Sequence, residues 1–264
     1  MTEVGVQTFT VRRAQRKSIP RAYLPLIEMG VRCFEVARVD FNEKNARELL
    51  SLCEEHDVRV CSIQVKPKYV FGEMKRIIDF CRTVRCDTVV ISMLPWRCIL
   101  GDEKKFYDFI ASLDPICREY ADNGITLAYH HHNWEYIRLS SGKTRMEELI
   151  SGTRLLKFVH DTYWTARSGI SPALQIGAFG DRLVGIHLRD LSFRKSGIKV
   201  LPHDAALGDG VIDFSAVLDA ADKVGCRYFV IEQNTKDPYG EIQKSIKTIK
   251  TIDKNREVNN VNAN

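Results

Sequence analysis

The sequence has no long hydrophobic run, no closely paired cysteines and no strong charge of either sign. No apolar stretch reaches the roughly 20 residues that cross a bilayer, so no membrane span is expected. The opening "MTEVGVQTFT" carries no basic segment followed by an apolar one, so no secretory signal is expected. The 8 cysteines form no Cys-x-x-Cys pair and show no disulfide-framework spacing. Cys33, Cys53, Cys61, Cys81 and Cys86 fall in or beside apolar runs. They read as reduced, buried small hydrophobes of a cytoplasmic protein, and no local signature marks a thiol nucleophile. The net charge is +5, spread along the chain, which leaves no basic footprint for nucleic acid. Histidine is scarce as well, with 7 in 264 residues, yet three stand together in "LAYHHHNWEY", Leu127 to Tyr136.

What is present is a repeated alternation. Apolar runs rich in Val, Ile and Leu read as strands at Glu3–Phe9, Val31–Ala37, Val58–Val65, Cys86–Ser92, Ile125–His130, Arg154–His160, Arg182–Leu188 and Cys226–Glu232. Their starts lie 28, 27, 28, 39, 29, 28 and 44 residues apart, a common period with two insertions. Between them, stretches such as "NEKNARELLSLCEEH" and "GEMKRIIDFCRTV" place apolar residues at helical spacing. Gly30, Asp57 and Gly225 sit where a helix hands over to a strand, as C-cap chemistry requires. Eight βα units imply a single (β/α)8 barrel over residues 1–253. The nearly continuous apolar strands suit a parallel sheet covered on both faces. A doubly wound open sheet is disfavoured because "VQTFTVRR" has no glycine fingerprint after the first strand. The polar, Asn-rich tail 254–264 is expected to be disordered.

In such barrels function gathers at the C-terminal ends of the strands. The polar residues there are Gln7, Glu35, Gln64, Lys66, Ser92, His130, His132, Glu135, His160, Asp161, His187 and Glu232. Glu135, Asp161, His187 and Glu232 stand out, because four consecutive strands aim an oxygen or imidazole at one rim. A buried carboxylate is costly unless it is paired or bound to a cation. Mixed O and N ligands suit one divalent cation, with Mn²⁺, Mg²⁺ or Co²⁺ fitting best and Zn²⁺ also open. Any one of these carboxylates could instead cap a helix or pair with an arginine. Strand alternation turns His131 and His160 away from the rim, and His160 reads as a wall histidine. His56 reads as a surface residue at a helix C-terminus, and His203 falls in the long segment after the seventh strand. That segment begins "RDLSFRKSGIK" and reads as a solvated basic loop, or as an anion clamp over the barrel mouth. "LGDGVIDF" reads as a tight turn into a helix N-cap at Asp213, since a lone Gly-x-Gly is a weak phosphate signal. Trp96, Trp134, Tyr163 and Trp164 follow strands and either stack on a sugar ring or close the core.

The ordered set "VQTFTVR", "GVRCFEVA", "LAYHHHNWEY", "HDTYWTARSG", "GIHLRD", "LGDGVIDF" and "VIEQN" resembles the sugar phosphate isomerase/epimerase family, the xylose-isomerase-like barrels. Ketose 3-epimerases, hydroxypyruvate isomerase, inosose dehydratase, 3-keto-glycoside lyases and type 2 AP endonucleases share that fold. The likeness spans nearly the whole chain. It implies a divalent metal, with Asp161, His187 and Glu232 on the family's Asp, His and Glu positions. Many epimerases keep a glutamate where this chain has His130, and other members keep one five residues later, at Glu135 here. Glu135 is expected as the first ligand, with His130 as the substitute. Proton transfer is expected from His132, Glu232 or Glu135, an imidazole titrating near 6.5 being suited to a base. His130, Lys66, Arg189 and Trp164 are expected to hold substrate. The expected activity is metal-dependent isomerisation or epimerisation of a small keto-sugar, polyol or sugar-derived substrate. The alternatives are β-elimination by a dehydratase or lyase, and a non-catalytic sugar-binding barrel. A nuclease is disfavoured by too few rim histidines and no basic surface. A homo-oligomer remains open.

Overall fold

The computed structural model describes residues 3–262. Eight parallel strands close into a barrel in the order β1, β10, β7, β6, β5, β4, β3, β2 and back to β1. They are β1 Val4–Gln7, β2 Cys33–Ala37, β3 Arg59–Val65, β4 Thr88–Ile91, β5 Thr126–His130, β6 Lys157–Asp161, β7 Leu183–Leu188 and β10 Tyr228–Ile231. β8 Asp190–Ser196 and β9 Lys199–Ala205 form a separate antiparallel hairpin after β7. Each expected barrel strand is present, most of them trimmed by one or two residues at the ends, while β6 starts three residues later than expected and runs one further, to Asp161. Closure excludes the doubly wound sheet.

Two apolar layers hold the barrel. Cys33, Cys61, Val90, Ala128, Val159, Val184, Tyr228 and Val230 cluster apart from the main core and fill the space between strands. The larger cluster lies between the sheet and the surrounding helices, where Leu49, Ile77, Phe106, Leu113, Phe158 and Phe214 are fully or almost fully buried. Each side chain of that size stabilises the fold by about 1.5–3 kcal/mol relative to exposure. Gly30, Asp57 and Gly225 all take positive φ, of 95°, 50° and 70°, and so turn helices into the next strand. At Gly185 on β7, an added Cβ would lie 2.2 Å from the ring of Tyr228. The bare backbone there lets the Tyr228 ring into the barrel.

Two expectations are corrected. The segment from Asp190 is a β-hairpin rather than a loop. Ser196 pairs with Lys199 across a two-residue turn, in which Gly197 has a φ of 61°. Positive φ at the first turn position matches the twist of the flanking strands. The tail expected to be disordered continues the last helix, Pro238–Asn262. Arg256 anchors it with ion pairs to Asp219 at 2.7 Å and Asp222 at 2.5 Å on the neighbouring helix Phe214–Val224. Residues 263–264 lie outside the described residues. No helix among the described residues is long and apolar enough to cross a membrane.

Candidate metal centre

β5, β6 and β7 end in His130, Asp161 and the His187–Leu188 pair, and Glu232 follows β10 directly. Strand alternation and parallel register turn His130, Asp161, His187 and Glu232 toward one point. One ligand atom from each lies within 4.8 Å of the others, and all four residues are buried. His187 Nδ1 is 2.8 Å from Glu232 Oε2 and 3.9 Å from Asp161 Oδ2, and His130 Nε2 is 3.4 Å from Asp161 Oδ2. Each strand delivers its residue by the same means: a short apolar run that stops at the rim.

Further groups brace the cluster. Glu35 of β2 meets His187 Nε2 at 2.7 Å. Asp161 Oδ1 accepts from the Trp164 backbone N–H at 2.9 Å, capping the helix Thr162–Arg167. The Asp161 backbone N–H donates to His131 Nε2 at 3.1 Å, and His131 in turn meets His160 Nδ1 at 3.1 Å. His131 and His160 thus face away from the rim and hold the backbone behind a ligand. Arg189 is buried and sends one nitrogen to Asp161 and to Glu232, at 3.2 Å each. Its other end forks onto Asp204 of β9 at 2.5 and 3.2 Å.

Burial disfavours charge at every one of these groups, and the partners decide the outcome. For His187, burial is opposed by the carboxylates of Glu35 and Glu232, which push the imidazole up to about 10. For Glu232, burial is overcome by Arg189 and His187, which hold the carboxyl at about 2. For Asp161, Arg189 and His130 outweigh burial and keep it ionised well below the usual carboxylate range. The site therefore gathers negative charge and draws a proton onto His187.

The donor set fits a divalent metal. His187 Nδ1 and Glu232 Oε2 are buried and face each other at 2.8 Å with no further partner, and His130 Nδ1 is buried without one. Buried polar atoms left unpaired are costly, and a cation held by their lone pairs removes that cost. Two imidazoles and two carboxylates make a mixed N and O donor set for a divalent cation.

Glu135, expected as the first ligand, is directed elsewhere. Its carboxylate accepts from the Tyr129 hydroxyl and, at 2.8 Å, from the His132 backbone N–H. The short helix Trp134–Tyr136 turns it back under the strand, where burial raises its carboxyl. His130 stands in its place in the cluster. The same contacts hold its carboxylate away from the cavity lining.

Above the cluster opens a cavity of about 410 Å³. His130, His132, Lys66, Trp164, Arg189 and Glu232 all line it, with Asp161 and His187 beneath. Of the residues expected to handle substrate or protons, only Glu135 falls outside it. His132 packs its ring on Trp134 at 4.8 Å and Trp164 at 5.2 Å. Burial, then the nearby His130, pushes the His132 imidazole down to about 3. Burial and the neighbouring His130 therefore favour the neutral imidazole over a base titrating near neutrality. Trp164 Nε1 is buried without a partner, a donor available to a bound oxygen. The Gly-x-Gly turn has no room for phosphate. Gly208 and Gly210 each donate to Asp190 at 2.9 Å, and a Cβ at Gly210 would lie 2.2 Å from that carboxylate.

Glu35 stands among the polar residues at the strand ends but was given no part in the site, and Asp204 was not singled out. Glu35 was visible as an acid inside an apolar run, "CFEVA", a pattern that itself calls for a buried partner. Asp204 carried no such signal, because it is brought in by the hairpin.

Fold and site define a parallel barrel with a ligand cluster at its C-terminal rim, where barrel enzymes work. The chain belongs to the xylose isomerase-like TIM barrel family, whose model matches residues 26–252. The family and its solved neighbours are mostly sugar-modifying enzymes. A sugar phosphate isomerase/epimerase from Parabacteroides distasonis superposes with a TM-score of 0.77 at 14% identity, over 93% of this chain and 96% of that one. A xylose isomerase-like TIM barrel protein from Mycobacterium smegmatis, in complex with magnesium, gives 0.71 at 12% identity, over 96% of each. The rhizopine catabolism protein MocC of Rhizobium meliloti is 26% identical over 154 residues, 52% of this chain and 45% of that protein. The match thus spans less than half the length of that relative.

Proposed function

We propose that the protein is a metal-dependent enzyme that moves a carbon-bound proton beside a carbonyl in a small keto-sugar, polyol or sugar-derived substrate. The observation that carries this reading is the buried cluster of His130, Asp161, His187 and Glu232 at the floor of a cavity lined by further polar side chains. His130, Asp161, His187 and Glu232 would hold one divalent ion, with Mn²⁺ first among those that suit a sugar oxygen as a further ligand. Such an ion, when bound, polarises a carbonyl and acidifies the neighbouring C–H. Lys66, Trp164 Nε1–H and the outer face of Arg189 would bind and orient substrate oxygens. His132, neutral and facing the cavity, would take the proton. An imidazole held at about 3 is a weak base, so it suits only a strongly acidified C–H.

A second reading, β-elimination by a dehydratase or lyase, is favoured by one detail. Epimerisation at a single carbon calls for a base on each face, and Glu135 is turned away while His130 takes its place. One carboxylate, Glu232, is left beside His132. Isomerisation and elimination both run with a single base.

The test is exchange of substrate C–H with solvent deuterium, followed by NMR over a panel of keto-sugars and keto-polyols with Mn²⁺-loaded protein. Exchange that is lost in His132→Asn, with metal retained, supports the reading. Full exchange in that variant moves the base to Glu232. No exchange with any keto substrate, despite bound metal, leaves the sugar-binding barrel. The product separates the first two readings: an isomer retains the elements of water or leaving group, and an eliminated product lacks them.

A further inference from the structure

We infer that Glu35 is the positioning residue of the metal centre, fixing which nitrogen of His187 faces the ion. The inference rests on the metal-dependent reading above and assigns a part to a residue outside the four ligands. Glu35 lies on β2, across the barrel from β7, and is fully buried. Its Oε1 meets His187 Nε2 at 2.7 Å. Its Oε2 accepts from Ser62 Oγ at 2.6 Å and from the Tyr228 hydroxyl at 3.2 Å. A carboxylate surrounded by hydroxyl donors is an acceptor on every side, so the nitrogen facing it must carry its hydrogen. His187 Nε2 is therefore the protonated nitrogen. Nδ1, with Glu232 Oε2 at 2.8 Å and Asp161 Oδ2 at 3.9 Å, is the lone pair offered to the ion. A carboxylate behind a ligating imidazole fixes the tautomer and the ring and raises ligand basicity.

The barrel is built to keep this arrangement. Ser62 comes from β3, Tyr228 from β10 and His187 from β7, so three strands converge on Glu35. The Tyr228 ring stands where it does only because residue 185 has no side chain. Nothing in the set touches the cavity: Glu35, Ser62 and Tyr228 are absent from its lining. Their effect on substrate runs through His187 alone.

The experiment titrates Mn²⁺ alone into wild type, Glu35→Gln and Ser62→Ala, with calorimetric affinity and far-UV circular dichroism as readouts. Glu35→Gln is expected to bind Mn²⁺ about 10–100-fold more weakly with an unchanged fold spectrum. Ser62→Ala keeps the Glu35–His187 contact and is expected to stay within about threefold of wild type. In Co²⁺-loaded wild type, NMR should show a paramagnetically shifted, solvent-exchangeable proton from His187 Nε2–H. A purely structural role for Glu35 would leave that line unmoved in Glu35→Gln, whereas loss of the carboxylate behind Nε2–H shifts it and speeds its exchange with solvent. Glu35→Gln binding Mn²⁺ within twofold of wild type overturns the inference while leaving the metal site intact. If that variant does not fold, the Co²⁺ spectrum decides, and absence of the exchangeable proton overturns the inference. Wild type that takes up no Mn²⁺ defeats the functional reading, and this inference with it.

Discussion

At the scale of single residues, the rim separates into groups that meet a ligand and groups that hold the frame. Glu135 belongs to the frame. Removing its carboxylate in Glu135→Ala strands the buried Tyr129 hydroxyl and the half-buried His132 N–H. The expected cost is about 2–4 kcal/mol of unfolding free energy, measured by urea denaturation, with Mn²⁺ affinity kept. His130→Ala should do the reverse and lose the metal from a folded protein. Asp161, His187 and Glu232 were legible in sequence because each ends an apolar run where charge is costly. The choice between His130 and Glu135 was not legible, since it turns on the short helix Trp134–Tyr136 folding Glu135 back beneath its own strand. The pH dependence also sits at this scale. His187 is raised from 6.5 to about 10, so in metal-free protein its ion-pair stabilisation is complete below pH 6.5 and lost as pH climbs through 10. Glu232 is lowered from 4.5 to about 2, so its share is present above 4.5 and lost as pH falls through 2. A metal must displace the proton on His187 Nδ1. Mn²⁺ affinity should therefore rise by about tenfold per pH unit between roughly 7 and 9, measured by chelator competition. A flat profile would show that His187 gives up no proton.

At the scale of elements, the βα units were readable from their period, and the hairpin β8–β9 was not. Its basic residues drew the eye to charge, whereas its information lay in the Gly197 turn that joins "DLSFRKS" to "KVLPHDA". The hairpin matters because it returns Asp204 to Arg189, and through Arg189 braces Asp161 and Glu232. Its base is pinned by Asp190, which accepts from the backbone N–H groups of Leu191, Gly208, Gly210 and Ile212 at 2.8–3.2 Å. Asp190→Ala leaves those donors unpaired. Amide hydrogen exchange at Gly208, Gly210 and Ile212 should rise by at least tenfold, with the barrel strands still protected. Equal loss of protection in β5 and β6 would mean that Asp190 supports the whole fold rather than this corner.

At the scale of the whole molecule, the barrel is an apolar frame that stands on its own, and the metal adds to it. Asp161→Ala and Glu232→Ala should stay folded without metal. Wild type at 100 times the dissociation constant of Mn²⁺ should gain about 2.7 kcal/mol, seen as a Tm rise of about 5–10 °C. The measurement that reaches the central claim is the anomalous difference map of a crystal grown with Mn²⁺. The account predicts one peak per chain, about 2.0–2.3 Å from a nitrogen of His130, Nδ1 of His187 and carboxylate oxygens of Asp161 and Glu232. A peak bound by Glu135 with His130 swung away, or no peak at this rim, would contradict it.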